Sequence, residues 1–373
     1  MRPLLFVTAS ALALATAPTL AAEGDTDSAQ NVVASGGTGI RLKFSGQVNR
    51  GVLLTDDGDQ TDAFFVDNDN SSTRFRFTGD GDFGDGWSAG VNIEIQAESN
   101  STATVNQITS NTNGSDFLTE RKLEFYFAND AYGRLTLGQG DTASNGTSEV
   151  DLSSTAIVAY SSVSDLAGGI LFRQEDGTLS TVNIGSAFSN LDGLSRQDRI
   201  RYDTPTFGGF VASVSAGSDG LYDVALRYDG DHGDFRVGSA IAYSINPSDD
   251  ETVNGSVSVL HKTTGLSLTV AAGTRDQGDS TDLRDSSFGY IKAGYQTNGI
   301  TSLGKTSFSV DYGQYDDFSG VDDEATSYGL AAVQHIDRIS TDLYFGIRNY
   351  ELDRPGTEFE DVLAVLAGAR LKF

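Results

Sequence analysis

The sequence predicts an all-β fold, a transmembrane antiparallel β-barrel of about 16 strands, and two patterns carry this prediction. The first is the end of the chain. One side of the final strand carries Leu363, Val365, Ala367, Ala369, Leu371 and Phe373, and the other carries Gly368, Arg370 and Lys372. Alternation with period 2 indicates a strand with one apolar and one polar face, and about ten tilted residues cross the apolar layer of a membrane. Closure against the first strand would remove the exposed edge of this strand.

The second pattern is the regular alternation of short and long links between strands. The short links are 206–208, 230–233, 263–265 and 337, and the long, acidic links are 55–71, 246–253, 276–285, 315–325 and 351–361. Membrane barrels have short periplasmic turns and long outer loops. The last strand alone would also fit a soluble sandwich, but a sandwich does not predict this alternation.

The N-terminal residues have the features of an export signal. Arg2 supplies a positive charge, residues 4–17 are apolar, and residues 19–22 are small enough for cleavage. We therefore predict a signal peptide over residues 1–22, a loose polar segment over 23–39 and the barrel over 40–373.

The strands predicted from alternation follow one another along the mature chain. They are 40–54, 72–79, 87–98, 120–128, 134–139, 198–204, 209–217, 221–229, 235–244, 254–262, 266–275, 287–297, 305–314, 326–336, 338–349 and the final strand. A basic residue facing lipid at mid-depth costs about 2–4 kcal/mol. This cost predicts that Arg74 and Arg76 face inward. Arg50 breaks the pattern on the apolar side, which fits either a snorkelling side chain or a subunit contact.

Composition excludes several classes of protein. Without Arg2 the chain has 52 acidic and 24 basic residues, a net charge of 24 − 52 = −28, which argues against a nucleic-acid partner. There is no cysteine, so disulfides and thiolate metal sites are excluded. His232, His261 and His335 are scattered near predicted turns and predict neither a metal site nor a catalytic base.

Three segments and the last residue resemble the general diffusion porins of alphaproteobacteria. Residues 40–51 resemble their opening strand, 133–139 the strand before their constriction loop, 201–210 the strand and turn after it, and Phe373 their terminal aromatic. The resemblance implies a trimeric, 16-stranded outer-membrane barrel in lipid and lipopolysaccharide. It also implies a terminal strand recognised by the barrel assembly machinery and a long inward-folded loop after the fifth strand, here 140–197.

A channel selects by its radius and by the charges that line it. The inward basic residues predicted to line the constriction are Arg74, Arg76, Lys122, Arg199, Arg201, Arg348 and Arg370. The acidic residues predicted on the inward loop are Glu149, Asp151, Asp165, Glu175 and Asp176. Because the first and last strands are neighbours after closure, several of the basic residues are expected in one sector of the wall.

The sequence therefore predicts a non-enzymatic, passive, water-filled channel for small hydrophilic solutes and ions, without a cofactor. A substrate-specific channel on the same barrel is the main alternative, followed by an outer-membrane hydrolase and a soluble exported β-protein. The acidic stretches 56–59 and 322–324 could bind Ca²⁺ or Mg²⁺ that bridges lipopolysaccharide, but their spacing fits no defined calcium loop, which favours a solvated acidic surface.

Overall fold

The structure is a computed structural model that describes residues 31–34, 39–111, 117–276 and 284–373. The predicted signal peptide, 1–22, lies outside the described residues. Within the described ranges, no helix is both long enough and apolar enough to cross a bilayer.

Strands make up most of the described chain, with few and short helices. The strands are β1 (Asn31–Ala34), β2 (Arg41–Asp56), β3 (Thr61–Asp67), β4 (Arg74–Gly84), β5 (Trp87–Ala97), β6 (Leu118–Asn129), β7 (Gly133–Asp141), β8 (Leu171–Arg173), β9 (Leu179–Asn183), β10 (Arg196–Asp203), β11 (Phe210–Gly217), β12 (Tyr222–His232), β13 (Phe235–Ile245), β14 (Glu251–His261), β15 (Leu266–Asp276), β16 (Ser286–Thr297), β17 (Thr306–Asp316), β18 (Glu324–Ile336), β19 (Thr341–Asp353) and β20 (Val362–Lys372). The helices are α1 (Ile184–Ala187) and the 3₁₀ helices Asp69–Ser71, Val163–Leu166 and Asp337–Ile339.

The wall is a closed antiparallel barrel with 16 strand positions in the described part of the chain, as predicted. The first strand, β2, pairs along one edge with the last, β20. Along its other edge, β2 pairs with β3 over its upper half and with β4 over its lower half, so these two strands share one position. Closure satisfies the backbone groups of both terminal strands, which a lipid environment requires.

The prediction that residues 55–71 form a single outer loop is wrong, because they contain the strand β3. The chain makes a tight turn after Asp56 and returns down the wall as β3, in which Phe64 and Val66 are buried toward the lumen. Residues 68–73, which we call the inward excursion, then leave the wall before β4 begins. Gln47 and Asn49 hold this excursion by donating hydrogen bonds to the carbonyl oxygen of Ser71, at 2.9 and 2.8 Å.

Apolar side chains face outward and polar side chains face inward along most strands. In β15, Leu266, Leu268 and Val270 are exposed, whereas Ser267 and Thr269 are buried. The exposed row matches the apolar solvent of a bilayer, and the buried row faces the lumen. Arg50 departs from this pattern by facing outward, and its guanidinium donates to the carbonyl and hydroxyl oxygens of Ser99, at 2.9 and 2.8 Å.

The segment between β7 and β10, residues 142–195, packs against the inner face of one side of the barrel; we call it the inner loop. The apolar residues that the inner loop contributes to this buried core include Ile157, Val158, Val163, Leu166, Phe172, Ile184, Phe188 and Leu191. Those that the wall contributes include Leu53, Phe64, Phe288, Tyr290, Tyr315, Tyr344, Tyr350, Leu352, Val362 and Leu366. The ring centroid of Phe188 lies 5.0 Å from that of Tyr315 and 5.2 Å from that of Tyr350. A hydrophobic core therefore lies inside the barrel, next to β15–β20 and the neighbouring strands β2 and β3.

Polar contacts fix the position of the inner loop on the wall. The Asp223 carboxylate accepts hydrogen bonds from the backbone N–H groups of Ala143 and Ser144, at 3.2 and 2.7 Å. Farther along, the Lys292 ammonium lies 2.6 Å from the Asp151 carboxylate, and both side chains are almost fully buried. A buried charge without its partner is strongly unfavourable, so this ion pair holds the loop in one position.

Strand β1 lies within the segment 23–39 that the sequence predicts to be loose. It pairs antiparallel with residues 41–44 of β2, on the edge that β20 occupies farther up. Residues 23–30 and 35–38 of that segment lie outside the described residues.

The seam between the first and last strands generates a test of barrel closure. Gly46 exchanges backbone hydrogen bonds with Phe373, at 2.8 and 2.9 Å, and a Cβ at this glycine would lie 2.7 Å from the Phe373 ring and 2.8 Å from a backbone oxygen of Arg74. We expect Gly46→Ala to destabilise the barrel by about 1–3 kcal/mol, because overpacking forces the seam apart. The measurement is the urea concentration at which half of the protein, refolded into detergent, has lost the faster-migrating folded band on an unheated gel.

The matched control is Gly289→Ala on β16, where a Cβ meets nothing within 4 Å. Equal urea midpoints for the two variants would contradict the close packing inferred at the seam.

Candidate functional site

A cavity of about 380 Å³ lies between the inner loop and the opposite wall, which is formed by β4–β7, β10 and β12. Charged side chains dominate its lining. The basic ones are Arg74, Arg76, Arg121, Lys122, Arg196, Arg201 and Arg227, and the acidic ones are Asp69, Glu94, Asp141, Glu149, Asp165 and Asp192. The basic residues all come from strands of the wall, and we call this side the basic wall. Asp69 of the inward excursion and Glu149, Asp165 and Asp192 of the inner loop form the other side, which we call the acidic face.

A β-bulge in β6 adds a cation to the basic wall. Glu94 of β5 is paired with Lys122, but the next residue, Ile95, is paired with Glu120, so Arg121 is an extra residue in the register. Strict alternation would place Lys122 inside the barrel and Arg121 outside, whereas the bulge allows the side chains of Arg121 and Lys122 both to face the lumen. Bulges redirect side chains in this way and are common near functional sites.

Glu94 organises the cations around it. Its side chain is 2% exposed and forms ion pairs with Arg76 and with Arg121, whose Nε lies 2.6 Å away. Arg121 also donates to the side-chain oxygen of Gln96 at 2.6 Å. A buried carboxylate needs such partners, and here it holds two guanidinium groups side by side at the cavity.

Asp141, at the end of β7, joins the other half of the basic wall. Its carboxylate forms an ion pair with Lys122, and the Nε of Arg196 lies 3.3 Å from it. Arg201 donates to the carbonyl oxygen of Thr142 at 2.9 Å and pairs with Asp203 at 2.7 Å. The start of the inner loop is thus bound to the wall that it faces.

The carboxyl groups of the acidic face are held by neutral donors. Asp165 accepts hydrogen bonds from the hydroxyl groups of Tyr160 and Ser162, the latter at 2.8 Å. Asp192 accepts from the backbone N–H of Gly146 at 2.6 Å, and Glu149 accepts from Asn190 at 2.9 Å.

Burial and mutual repulsion raise the pKa values of these carboxyl groups. Burial, together with the negative charges of Asp69 and Asp192, raises the pKa of Asp165 to about 7, against the hydrogen bonds from its hydroxyl partners. Burial also raises the pKa of Glu149 and that of Asp192, and the Asp192 charge adds to the shift at Glu149. The acidic face therefore carries less negative charge near neutral pH than its number of carboxyl groups suggests.

The structure brings six of the residues predicted for the site together at this cavity and leaves six elsewhere. Arg74, Arg76, Lys122, Arg201, Glu149 and Asp165 line it. The residues that do not line it are Arg199, Arg348, Arg370, Asp151, Glu175 and Asp176.

The three remaining arginines face inward but are covered and paired. Arg199 pairs with Glu124 within the wall. Arg348 lies 2.6 Å from Asp311 beneath the inner loop. Arg370, predicted to share a sector with the others, pairs with Asp342 at 2.7 Å. Arg370 nevertheless shares a sector of the wall with Arg74, because both guanidinium groups donate to the hydroxyl oxygen of Ser71, at 3.0 and 3.2 Å.

The three remaining acids of the inner loop also lie outside the cavity. Asp151 is buried against Lys292. Glu175 and Asp176 form the turn of the β8–β9 hairpin, where the backbone N–H of Glu175 donates to the carbonyl oxygen of Glu358 at 3.1 Å. This hairpin packs against the link between β19 and β20, so its acids lie away from the basic wall.

The sequence analysis did not identify several lining residues. Glu94 and Arg227 occupy inward positions of regular strands, so the alternation contained a usable signal for both. Arg121 depends on a bulge and Asp69 on the inward excursion, and no local pattern signals either feature. Asp192 depends on the path of the inner loop.

The described ranges contain no group of three or more His, Asp or Glu residues placed to hold a metal ion. In the acidic stretches of the outer links, Asp57 forms an ion pair with Arg173 at 2.8 Å, and Asp323 forms one with Arg354 at 2.6 Å. The Nδ1 atom of His335 lies 2.6 Å from a carboxylate oxygen of Asp342.

Comparisons with solved structures return barrels of the same architecture. An anion-selective porin from Comamonas acidovorans matches with a TM-score of 0.62 and 16% identity over 90% of this chain and 100% of that chain. OmpT of Vibrio cholerae in a trimer form matches with a TM-score of 0.59 and 12% identity over 90% and 100%. OmpF of Salmonella typhi in complex with daunomycin matches with a TM-score of 0.58 and 13% identity over 90% and 98%. At these identities the likeness concerns the fold alone.

No curated protein matches the sequence significantly. A model of the Gram-negative porin family matches residues 8–355, which is most of the chain. The chain therefore belongs to the Gram-negative porin family, and it is an outer-membrane channel for small solutes.

Proposed function

We propose that solutes cross the barrel through the cavity between the basic wall and the acidic face, which makes the inner loop the constriction loop. The observation that carries this proposal is the arrangement of seven basic side chains of the wall opposite the four carboxyl groups of the acidic face, around one cavity. Two unit charges about 8 Å apart interact by roughly 0.5–2 kcal/mol at effective dielectric constants of 80 to 20. A transverse field of this size favours hydrophilic solutes and ions over apolar ones.

A passive general-diffusion channel fits this lining better than a substrate-specific one. Tyr160 is the one aromatic residue that lines the cavity among the described residues, so no aromatic track for a sugar is present there. Most of the cations are occupied by ion pairs within the wall rather than arranged as a free ladder. The motif resemblance of the opening strand supports assignment to the alphaproteobacterial general diffusion group.

We expect a modest preference for anions. The formal charge of the lining is 7 − 6 = +1, and the raised pKa values of the acidic face make the effective charge more positive near neutral pH. One similar structure is named as an anion-selective porin, which agrees with this expectation. Transport needs no catalysis, and we propose none.

We also propose a homotrimer, inserted by the barrel assembly machinery through the terminal strand that ends at Phe373. Outward Phe65 is 75% exposed next to the unusual outward Arg50, which supports a subunit contact in this sector. A similar barrel is described in a trimer form. Contact with lipopolysaccharide through divalent cations has weaker support, since Asp57 and Asp323 already pair with arginines.

Reconstitution tests the proposed function directly. Purified protein added to a planar bilayer should give ohmic conductance steps, grouped in threes if the trimer is correct. A folded, inserted barrel that conducts no ions would contradict the channel, and single ungrouped steps would contradict the trimer.

Neutralising the basic wall should change ion selectivity in a predictable direction. We expect Arg74→Gln, Arg76→Gln and Arg201→Gln together to shift the reversal potential in a KCl gradient toward cations, because three fixed positive charges leave the cavity. The matched control is Arg236→Gln, an exposed arginine near a turn whose side chain is 48% exposed. If the triple variant keeps the wild-type reversal potential, these residues do not line the conducting path.

Releasing the inner loop should change conductance. We expect Lys292→Met to raise the size or the noise of the single-channel current, because the unpaired buried Asp151 carboxylate costs about 3–5 kcal/mol and loosens the loop.

The double variant Lys292→Met with Asp151→Leu should restore a quiet channel, since it removes both buried charges. Lys262→Met, at an exposed turn, serves as the control. A quiet wild-type current from Lys292→Met alone would contradict the anchoring role.

A further inference from the structure

We propose that Asp165 is a specificity-determining residue whose gain or loss of a proton sets how strongly the acidic face opposes the fixed positive charge of the basic wall. The inference rests on the proposed conducting path through the cavity. It adds a residue and a solute class to that path: anions pass best when Asp165 is neutral, and cations and dipolar solutes gain when it is charged.

The first support is the position of Asp165 at the meeting point of three chain segments. Its backbone carbonyl oxygen accepts a hydrogen bond from Thr102, at 2.5 Å, in the segment after β5. Thr102 in turn accepts from the backbone N–H of Asp69 at 3.0 Å, which fixes the inward excursion beside it. Asp165 and Asp69 thus line the same cavity at a junction with little freedom to move.

The second support is the kind of partner that Asp165 has. Tyr160 and Ser162 donate hydrogen bonds to its carboxylate, and within the described residues no lysine or arginine forms an ion pair with it. Hydroxyl groups can serve a charged or a neutral carboxyl group equally well, because they donate or accept. Glu94 differs in this respect, because guanidinium groups lock it in the charged form.

The third support is the set of titratable groups that face Asp165 from every element packed against it. Asp69 approaches from the excursion, Asp192 and Glu149 from the two ends of the inner loop, and Tyr350 from β19. All of these are acids. Behind Asp69 lies Glu98, whose pKa is raised to about 8 by burial and by the Asp69 charge.

Cations of the basic wall act on the ends of this acidic group rather than on its centre. The charge of Arg196 lowers the pKa of Glu149, and that of Arg227 lowers the pKa of Asp192. At Asp165, burial is the largest cause of the raised pKa, the Asp69 and Asp192 charges add to it, and the hydroxyl groups of Tyr160 and Ser162 lower it. Positive charge therefore compensates Glu149 and Asp192 more than it compensates Asp165.

The direction of the pH effect follows from the raised pKa of about 7. Below that value Asp165 is protonated and neutral, so the basic wall is less opposed and anions are favoured. As the pH rises through 7 the carboxylate becomes negative and cancels part of the wall's charge. The guanidinium groups do not titrate in this range, so only the acidic face changes.

The experiment measures reversal potentials of the full-length protein in planar bilayers under a KCl gradient, at half-unit steps from pH 5 to pH 9. We expect the chloride-to-potassium permeability ratio of the wild type to fall about fivefold across pH 6–8, the change roughly expected for one unit charge about 8 Å from the permeating ion in water. Asp165→Asn should hold the ratio near its acid value and remove most of this pH dependence. Asparagine keeps the acceptor for Tyr160 and Ser162, so the loop should stay in place.

The matched control is Asp176→Asn, which changes an acid of the same loop that lies outside the cavity. It should titrate like the wild type. Single-channel conductance in 1 M KCl, where charge is screened, should be equal in all three proteins if the loop has kept its position.

Three outcomes would overturn the proposal. A wild-type ratio that is constant from pH 6 to pH 8, or a pH dependence that Asp165→Asn retains, would exclude Asp165 as the determinant. Loss of the pH dependence in Asp176→Asn would place the titrating group at the outer turn. Absence of conductance in the wild type would instead refute the proposed function itself, so the two failures are distinguishable.

Discussion

The packing of the inner loop against one side of the wall is the interaction on which the site depends. Aromatic and aliphatic side chains of β16–β20 point into the lumen, where water would otherwise meet them. The loop covers them with its own apolar residues and so gains the burial that drives folding in water. Because one side of the lumen is filled in this way, the cavity lies on the other side, against β4–β7, β10 and β12.

This packing also separates the charges. Arginines under the loop, such as Arg348, must pair with carboxylates because they have lost water. Arginines on the open side, such as Arg74, keep access to the cavity. The same residue type at an inward strand position therefore stabilises the wall in one place and lines the cavity in another.

The basic wall and the acidic face differ in how their charges are held. The Glu94 cluster and the bulge at Arg121 keep cations close to one another with a compensating carboxylate between them. The acidic face brings together Asp69 of the inward excursion with Asp165 and Asp192 of the inner loop, and neutral donors hold the last two. One side thus has a fixed charge and the other an adjustable one, which is the physical basis of the pH-sensitive selectivity that we propose.

Most of the strands could be predicted from the sequence. Lipid on one side of the wall and water on the other require apolar and polar residues to alternate along each strand. The short strand β3 was missed inside a link, although Phe64, Phe65 and Val66 alternate around the wall. The first half of the last strand is apolar on both faces, because Val362, Ala364 and Leu366 are buried inside the barrel while Leu363 faces outward. Apolar residues on both faces indicate a strand that is covered on both sides, which is consistent with the contact made by the inner loop.

By itself, the sequence determined the barrel, its sixteen strand positions, the inward direction of Arg74, Arg76 and Lys122, and the existence of a long segment between β7 and β10. These properties follow from local alternation and from the cost of placing a charge in lipid. Only the tertiary structure decided which inward charges meet at the cavity. That choice depends on where the inner loop packs, on the bulge at Arg121 and on the excursion at Asp69, and each of these is set by contacts between residues far apart in the chain.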